Sequence, residues 1–159
     1  MMSRQLFTSS LVILFLLLST NAFSAEKAQQ RIKGPIIITS ETLTADNTAH
    51  TALFERSVVA RTTDMTLYAD RMLVFYDADS GEITKIEAEG STKVIKGTRA
   101  ITSQKATYYT DGEKVIFTGE PRATDGENVV TGAKITYLLN EDKYLVEESK
   151  VFLKKRKEQ

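Results

Sequence analysis

The sequence predicts an all-β fold in which antiparallel strands form a solenoid-like or jelly-roll stack. A motif recurs four times, starting at Ile38, Leu67, Ile101 and Val130, and self-similarity at a spacing of about 20–50 residues is typical of stacked architectures. Turn residues recur about every 8–12 residues, as they do in sandwiches and barrels. No segment has sustained helical periodicity, so each copy of the motif is predicted to be a pair of strands.

Residues 1–24 have the pattern of a secretory signal peptide that is removed from the mature protein. Arg4 supplies the positive charge, residues 11–18 form an unbroken apolar run, and small residues precede a cleavage site before Ala25. The alternative is an uncleaved anchor, which would need a longer run because a membrane span takes about 20 apolar residues. The signal predicts export but does not distinguish secretion from residence in the periplasm.

The composition excludes several classes of function. The chain has 21 Lys and Arg against 21 Asp and Glu, whereas nucleic-acid binding requires a basic excess. It has no cysteine, which rules out disulfides, thiolate metal sites and cysteine nucleophiles. The mature length suits one domain, predicted at residues 35–153. Residues 25–34 are predicted to be a flexible lead-in, and residues 154–159 form a basic tail that is either solvated or in contact with anionic headgroups.

Runs of β-branched and aromatic residues between turn signals predict the strands in order. Pro35 sets up an extended start, and Asp111-Gly112 is a strong hairpin signal. Gly90 is expected to break the strand in which it lies. The predicted strand residues are 36–40 with 43–45, 52–55 with 58–60, 66–76, 83–89, 92–95, 101–109, 115–121, 129–139, 144–146 and 151–153.

Alternation along these strands predicts an apolar inner face and a mostly polar outer face, because side chains i and i+2 share a face. The entering strands contribute Leu43, Ala45, Met72, Val74, Tyr76, Ala106, Tyr108, Ile135, Tyr137 and Leu139 to the inner face. The returning strands and the first edge contribute Ala52, Phe54, Ile86, Ala88, Val115, Phe117, Tyr144, Val146, Ile36 and Ile38. The outward positions are Thr44, Leu73, Thr107 and Thr136. The inner face is either the closed core of a sandwich or the lining of a groove whose walls part for a ligand.

The sequence contains no recognisable catalytic or metal-binding set. The single histidine, His50, lies in a polar turn without a second ligand nearby. Residues 77–82 begin like a calcium loop but lack its later ligands, so a hairpin turn is predicted. Glu147 and Glu148 are adjacent on a strand and point to opposite faces, so they cannot act together as acid and base. The protein is therefore predicted to have no enzymatic activity, no cofactor and no metal.

The two ends of the stack are predicted to be sites of association. The first strand, residues 36–39, is apolar and uncharged, and the last, residues 150–154, has an apolar centre between lysines. Open strand edges have unpaired N–H and C=O groups that pair readily with another chain. The alternative is that the lead-in and the tail fold over these edges and cover them.

Four short motifs, in this order along the chain, resemble the OstA-like/LptA family, which are periplasmic proteins of lipopolysaccharide transport in Gram-negative bacteria. They are Pro35-Ile-Ile-Ile-Thr-Ser40, Tyr68-Ala-Asp-Arg-Met72, Phe117-Thr-Gly119 and Gly132-Ala-Lys-Ile-Thr-Tyr-Leu138. The resemblance runs from about Pro35 to Leu153. The chain departs from the family pattern at Glu120 and Pro121, where Asn and Val are frequent. Pro121 predicts a local edge or bulge.

The resemblance implies a twisted, V-shaped, open β-jelly-roll located in the periplasm. It implies that the acyl chains of lipopolysaccharide lie in the groove while the sugars and phosphates stay outside. It also implies head-to-tail self-association, and joining to inner-membrane-anchored and outer-membrane transport components with the same fold. In this way the protein would bridge the two membranes, without catalysis.

The family's lipid-lining positions fall on Ile36, Ile38, Tyr108 and Phe117 of this chain. Combined with the inner face, they give a set of predicted lipid-binding residues, which are Ile36, Ile38, Leu43, Phe54, Met72, Val74, Ala106, Tyr108, Phe117, Ile135 and Tyr137. The alternative function is a non-catalytic periplasmic scaffold that associates through its edge strands without binding lipid.

Overall fold

The computed structural model describes residues 35–154 of the 159-residue chain. The predicted signal peptide, the predicted lead-in and residues 155–159 of the predicted tail lie outside the described residues. Within residues 35–154 every regular element is a β-strand, which confirms the predicted all-β fold. This part of the chain contains no helix long and apolar enough to cross a membrane.

The described residues form a succession of short and long strands. They are β1 (Ile37–Thr39), β2 (Thr42–Asp46), β3 (Thr51–Arg61), β4 (Thr66–Tyr76), β5 (Ile83–Lys96), β6 (Arg99–Tyr109), β7 (Lys114–Thr118), β8 (Arg122–Asp125), β9 (Asn128–Thr131), β10 (Lys134–Leu138), β11 (Lys143–Glu147) and β12 (Lys150–Phe152). The single strand predicted over residues 129–139 is wrong, because the chain divides it into β9 and β10 at Gly132. A Cβ atom at Gly132 would lie 2.5 Å from the carbonyl oxygen of Glu147, so only glycine fits this close approach.

All of these strands belong to one open antiparallel sheet with β3, β4, β5 and β6 at its centre. Both β1 and β2 pair with β3, and both β7 and β8 pair with β6. The sheet therefore has two parts that share the long central strands. One part, the β7 wall, has the strand order β2-β3-β4-β5-β6-β7-β10-β11. The other part, the β8 wall, has the strand order β1-β3-β4-β5-β6-β8-β9-β12.

A line of bulges, called the crease below, separates the two walls. Pairs of consecutive residues with positive φ occur where β3 and β5 cross from one wall to the other, and between β7 and β8. These pairs are Arg56–Ser57, Gly90–Ser91 and Gly119–Glu120. The pairing register of β3 with β4 and of β5 with β6 shifts at these points, and such bulges bend and twist a strand. Pro121, predicted to mark an edge or bulge, lies fully buried in the same crease.

The expectation that Gly90 breaks its strand is wrong, because β5 continues through it for 14 residues. Gly90 has a φ of +75°, and a Cβ atom there would lie 2.4 Å from Oδ2 of Asp70. Both the backbone conformation and the close approach of β4 therefore require glycine. The glycine bends the strand from one wall into the other and leaves the ladder intact on both sides.

The sequence repeats coincide with the register of the sheet. The four repeat starts lie in one row across the β8 wall, with a residue of a returning strand between each pair. That row is Ile38, Ala60, Leu67, Val94, Ile101, Ala123, Val130 and Val151. The β7 wall has one row of Leu43, Phe54, Met72, Ala88, Ala106, Phe117, Ile135 and Val146, and a second of Ala45, Ala52, Val74, Ile86, Tyr108, Val115, Tyr137 and Tyr144. Side chains from both walls form one hydrophobic core, so the walls face each other across it.

The outer face of the β7 wall is less polar than the sequence indicated. Thr107 is only 7% exposed, and Leu53, Leu73 and Ile116 in the same outward row are partly buried. Thr107 is shielded because it lies in the middle of this row, between longer side chains on neighbouring strands. Outward exposure at this wall therefore has to be judged residue by residue and does not follow from alternation alone.

Candidate functional site

An apolar groove lies between the two walls on the side of β1. It contains about 530 Å³ of open space, including its mouth. Both walls contribute side chains, and the residue before β1 and the turn between β3 and β4 complete the lining. The lining residues are Ile36, Ala60, Thr62, Met65, Leu67, Met72, Ile86, Ala88, Val94, Ala106, Tyr108 and Val115. With one exception, Thr62, these side chains are apolar or aromatic, as in sites that bind apolar ligands.

The structure brings most of the predicted lipid-binding residues together in and beneath this groove. Those that line it are Ile36, Met72, Ala106 and Tyr108. Those in the core beneath or beside it are Val74, Phe117, Ile135 and Tyr137, which are almost completely buried, and Ile38 and Phe54, which are partly buried. The Tyr108 hydroxyl donates a hydrogen bond of 3.0 Å to Oε2 of Glu113, so this hydroxyl has a polar partner within the protein.

Leu43 stands apart from the other predicted residues. It lies opposite Phe54 and therefore on the inner side of the sheet, but its side chain is 58% exposed. The reason is that β2 is the edge strand of the β7 wall, and no further strand covers Leu43. It belongs to the free edge of the sheet and not to the core.

Sequence reasoning missed most of the contribution of the β8 wall, of which only Ile36 and Ile38 at the first edge were predicted. Ala60, Leu67 and Val94 line the groove, yet none was included among the predicted site residues. The signal was present in the sequence, because Leu67 is the start of one of the four repeats. The four repeat starts share one row of the β8 wall, so the repeats could have identified this wall as the second side of the groove.

On the far side of the groove from β1, a polar cluster joins the tips of two hairpins on opposite walls. Lys96 and Arg99 flank the β5–β6 turn of the β8 wall, and Tyr137, Asp142 and Tyr144 belong to the β10–β11 hairpin of the β7 wall. Nζ of Lys96 donates a hydrogen bond of 3.0 Å to the hydroxyl of Tyr137. Nη2 of Arg99 lies 3.1 Å and 3.0 Å from the two carboxylate oxygens of Asp142. The Tyr137 hydroxyl donates to Asp142, and we call these five residues the latch.

Aromatic stacking reinforces the latch. The rings of Tyr137 and Tyr144 are parallel neighbours, with centroids 4.5 Å apart. The guanidinium of Arg99 lies 5.8 Å from the centre of the Tyr144 ring, a distance at which cation–π attraction operates. Lys96 also approaches Asp142 and Asp64, at 3.8 Å in each case. The two cations of the latch therefore face its own carboxylate, Asp142, and a neighbouring one, Asp64.

The electrostatics of the latch fix its protonation state at neutral pH. Burial, together with the hydrogen bond to Asp142, raises the pKa of Tyr137 to about 12. Hydrogen bonds from Tyr137 and then from Arg99 lower the pKa of Asp142, because they stabilise its charged form. The bond to Asp142 in turn raises the pKa of Arg99. Tyr137 is therefore a neutral donor between a charged carboxylate and a charged lysine.

A second open space of about 650 Å³ adjoins the latch. Arg99 and Tyr144 line it together with apolar side chains of both walls, which include Ile101, Val130 and Val146. The interior between the walls is thus accessible on both sides of the sheet's centre. The latch borders the second space and bridges the walls there.

The large exposed apolar side chains are concentrated at the two free edges of the sheet. The edge formed by β1 and β2 exposes Ile37 and Leu43, and the edge formed by β11 and β12 exposes Leu145, Val151 and Phe152. Exposed apolar groups on an unpaired strand edge are typical of an association surface. Neither edge has a partner strand within the described part of the chain.

His50 and Asp77, two other residues with possible catalytic or metal-binding side chains, lie in turns of the sheet. His50 is an exposed residue of the β2–β3 turn with a φ of +52°. Oδ1 of Asp77 accepts hydrogen bonds from the backbone N–H groups of Asp79 and Ser80, at 3.1 Å and 2.9 Å, and from the Ser80 hydroxyl. This closes the β4–β5 hairpin turn.

An open antiparallel sheet folded at a crease, with an apolar groove between its walls, defines the class of protein as an open β-jelly-roll. The family model of the LptA/(LptD N-terminal domain) lipopolysaccharide transport protein matches residues 37–143. The chain therefore belongs to this family of lipopolysaccharide transport proteins, which is not enzymatic, and the predicted family, fold and absence of enzymatic activity are confirmed.

A solved structure has the same fold. It is LptH, described as the LptA-homologous periplasmic component of the conserved lipopolysaccharide transport device from Pseudomonas aeruginosa. The TM-score is 0.70 and the sequences are 12% identical, over 78% of this chain and 98% of that chain. No curated protein matches the sequence.

Proposed function

We propose that this protein carries lipopolysaccharide through the periplasm by holding its acyl chains in the groove between the β7 and β8 walls. The observation that supports this most directly is the apolar lining contributed by both walls, with Met72 and Tyr108 from the β7 wall and Leu67 and Val94 from the β8 wall. A carrier of a lipid must shield its tails from water. Burial of apolar area provides roughly 25 cal/mol per Å² for this purpose, and no catalytic group is needed.

Photo-crosslinking tests this proposal. A photoreactive amino acid replaces Tyr108 in the groove, and a matched variant carries it at Glu87, which lies on the outer face of the adjacent strand. In cells that make lipopolysaccharide, we expect an adduct with lipopolysaccharide from position 108 and none from position 87. Equal labelling at both positions, or no lipid adduct at either, would overturn the groove as the binding site.

We further propose that the protein forms a bridge by head-to-tail pairing of its two free edges with copies of itself or with transport components of the same fold. The supporting observation is that the edges have matching lengths. One edge has a strand of 3 residues and then one of 5, and the other has a strand of 5 and then one of 3. Two residues separate the strands at each edge, Ser40 and Glu41 at one and Glu148 and Ser149 at the other.

A single antiparallel register joins both strand pairs at once. It continues an inner row of each wall by placing Ile38 of one copy opposite Val151 of the next, and Leu43 opposite Val146. The same register places the exposed Ile37, 61% accessible, opposite Phe152, 56% accessible. It also sets Asp46 against Lys143, and cross-strand pairs of opposite charge are favourable. Such a contact is heterologous, so it extends into a chain of copies rather than closing a dimer.

Two edge variants test the joint. Leu43→Glu places a charge on the β2 edge and Val151→Glu places one on the β12 edge, at side chains that are already more than half exposed in a single copy. We expect wild-type protein to form concentration-dependent oligomers in sedimentation experiments, and each variant alone to be limited to small species. A mixture of the two variants should form a heterodimer through the one intact edge of each. Failure of the mixture to associate, with both variants folded, would contradict head-to-tail pairing.

The alternative function is a scaffold that uses the same edges and takes up no lipid. It predicts edge-dependent oligomers together with no lipid adduct at position 108. The two experiments together therefore separate the carrier from the scaffold.

A further inference from the structure

We propose that the latch is a gate at the side of the groove, which holds the walls together and must open for acyl chains to enter or leave. This inference rests on the proposed carrier function and concerns its regulation. The latch residues are Lys96 and Arg99 on the β8 wall, and Tyr137, Asp142 and Tyr144 on the β7 wall. The sequence separates the two groups by about 40 residues, so the contacts between them are tertiary and depend on the distance between the walls.

The latch lies where parting of the walls would be largest. The crease joins the walls on one side, at the bulges that include Gly90 and Ser91. Lys96 ends β5 and Arg99 begins β6, so both lie at the tip of the β5–β6 hairpin, remote from the crease. Asp142 is in the turn of the β10–β11 hairpin, also at the end remote from the crease. If one wall rotates about the crease, these tips move apart the most, so a contact between them resists the rotation most effectively.

The size of the groove indicates that the walls have to part. Its open space of about 530 Å³ and the second space of about 650 Å³ beside the latch are each within the range of about 300–1,000 Å³ typical of sites for one small ligand. A lipid with several acyl chains is larger. Because protein interiors are close-packed, space for it requires that a strand or a wall be displaced. The β8 wall is the element suited to move, because its segments beyond the crease are short. Strands β1, β8, β9 and β12 have 3 or 4 residues each.

The chemistry of the latch suits repeated opening. Its charged side chains are partly exposed, with 25% of Lys96, 30% of Arg99 and 48% of Asp142 accessible. When the contacts separate, water can solvate each charge, so opening leaves no buried charge without a partner. Nη2 of Arg99 nevertheless bonds both carboxylate oxygens of Asp142, and these charge-assisted hydrogen bonds give the closed state a defined geometry. The latch is therefore both specific and reversible.

Distance measurement between the walls tests the gate. The chain has no native cysteine, so spin labels can be attached at Thr98→Cys and Asn140→Cys, which are exposed positions at the two hairpin tips. Distance distributions are recorded by pulsed electron paramagnetic resonance for the otherwise wild-type protein, Asp142→Asn and the exchange variant Arg99→Asp/Asp142→Arg. Lys93→Met, which removes a cation of the same strand outside the latch, is the matched control. Each protein is measured alone and with purified lipopolysaccharide.

We expect a short distance in the wild-type and Lys93→Met proteins without lipid, and a several-fold larger long-distance population in Asp142→Asn. The exchange variant should recover the short distance in part, because it restores the ion pair between positions 99 and 142 but places a cation beside Lys96. Lipopolysaccharide should lengthen the distance in the wild type. Lipid capture from a photoreactive residue at position 108 should be several-fold faster in Asp142→Asn.

Unchanged distances in Asp142→Asn would overturn the latch, and longer distances with an unchanged capture rate would overturn its role as a gate. Absence of lipid capture by the wild type would instead refute the carrier function, while the lipid-free distances would still report on the latch.

Discussion

The β7 and β8 walls share their four central strands, yet they differ in how firmly they are packed. The largest completely buried side chains of the β7 wall are Met72, Val74, Phe117, Ile135 and Tyr137. The other large residues with no exposed surface, Val58, Thr92 and Pro121, lie at the crease. Beyond the crease, the β8 wall buries Val94 and Ile101 to about 5% exposure, and its other inner side chains are smaller or less buried, such as Ala60 and Leu67.

This difference assigns the two walls different roles. The β7 wall carries two apolar rows and longer strands, so it provides most of the buried area and therefore most of the stability. Beyond the buried residues of the crease, the β8 wall carries one apolar row. In the proposed gate, it depends on the crease and the latch for its position. The proposed opening of the groove would be served by one rigid wall and one that can be displaced, and the sheet has this asymmetry.

The largest expected effect is on the free energy of unfolding, and it differs between the walls. Phe117→Ala removes a ring with no exposed surface from the β7 wall, and such changes cost about 3–5 kcal/mol. Leu67→Ala in the β8 wall removes a partly buried side chain, and we expect a cost of about 1–2 kcal/mol, because less of it leaves water on folding. Urea denaturation followed by circular dichroism measures both. Equal costs would show that the two walls contribute equally to stability.

A smaller effect is expected at the crease. Gly90→Ala forces a Cβ atom against the side chain of Asp70 at a residue with positive φ, whereas Gly97→Ala has a similar φ of +59° and open space around it. The Gly97 variant should lose about 1 kcal/mol from backbone strain alone, and the Gly90 variant should lose more, because β4 must also shift. The difference between the two midpoints of urea unfolding isolates the packing of the crease. A Gly90 variant no less stable than the Gly97 variant would show that the strands at the crease yield without cost.

Local signals in the sequence predicted the strands and the inner face well, because both depend on short-range alternation. Thr66–Tyr76 agrees with the predicted strand, and the register places Met72 and Phe117 on the inner face as alternation required. The crease was not predictable in the same way. When two consecutive residues with positive φ include no glycine, as at Arg56 and Ser57, the sequence gives no sign of the bulge. A glycine within a strand, such as Gly90, can indicate either a bulge or a strand end, and the sequence alone does not distinguish them.

The latch was beyond sequence reasoning for a different reason. Its charged members are ordinary surface residue types. Tyr137 and Tyr144 were predicted on the apolar inner face, and of the two only Tyr137 was among the predicted lipid-binding residues. Its hydroxyl group is in fact bonded to Lys96 and Asp142. Such a contact depends on how far the sheet bends at the crease, and alternation carries no information about that angle. The same limit explains why alternation placed Leu43 inside without showing that no strand covers it.

Alkaline pH offers a test of the contact between the walls that needs no label. Burial and the bond to Asp142 raise the pKa of Tyr137 from 10.0 to about 12 in the folded protein. The folded state therefore holds the proton more tightly than the unfolded chain, and the resulting stability is present in full below pH 10 and is lost as the pH rises towards 12. The Tyr137→Phe variant should lose less stability than the wild type over this interval. Parallel loss in the two proteins, measured by thermal unfolding, would show that Tyr137 is not held in the latch.

The smallest effect is expected in acid, where the latch loses its carboxylate. The hydrogen bonds from Tyr137 and Arg99 lower the pKa of Asp142 below 3.8. Its contribution is therefore present above pH 3.8 and is lost as the pH falls through the lower value of the folded state. Because Asp142 is about half exposed, the loss should be below about 1 kcal/mol, too little to unfold the β7 wall but enough to increase the distance between the labelled hairpin tips. The Asp142→Asn variant should show the longer distance at pH 7 and no further change in acid. An acid-induced increase of the same size in that variant would place the pH-sensitive contact elsewhere on the walls.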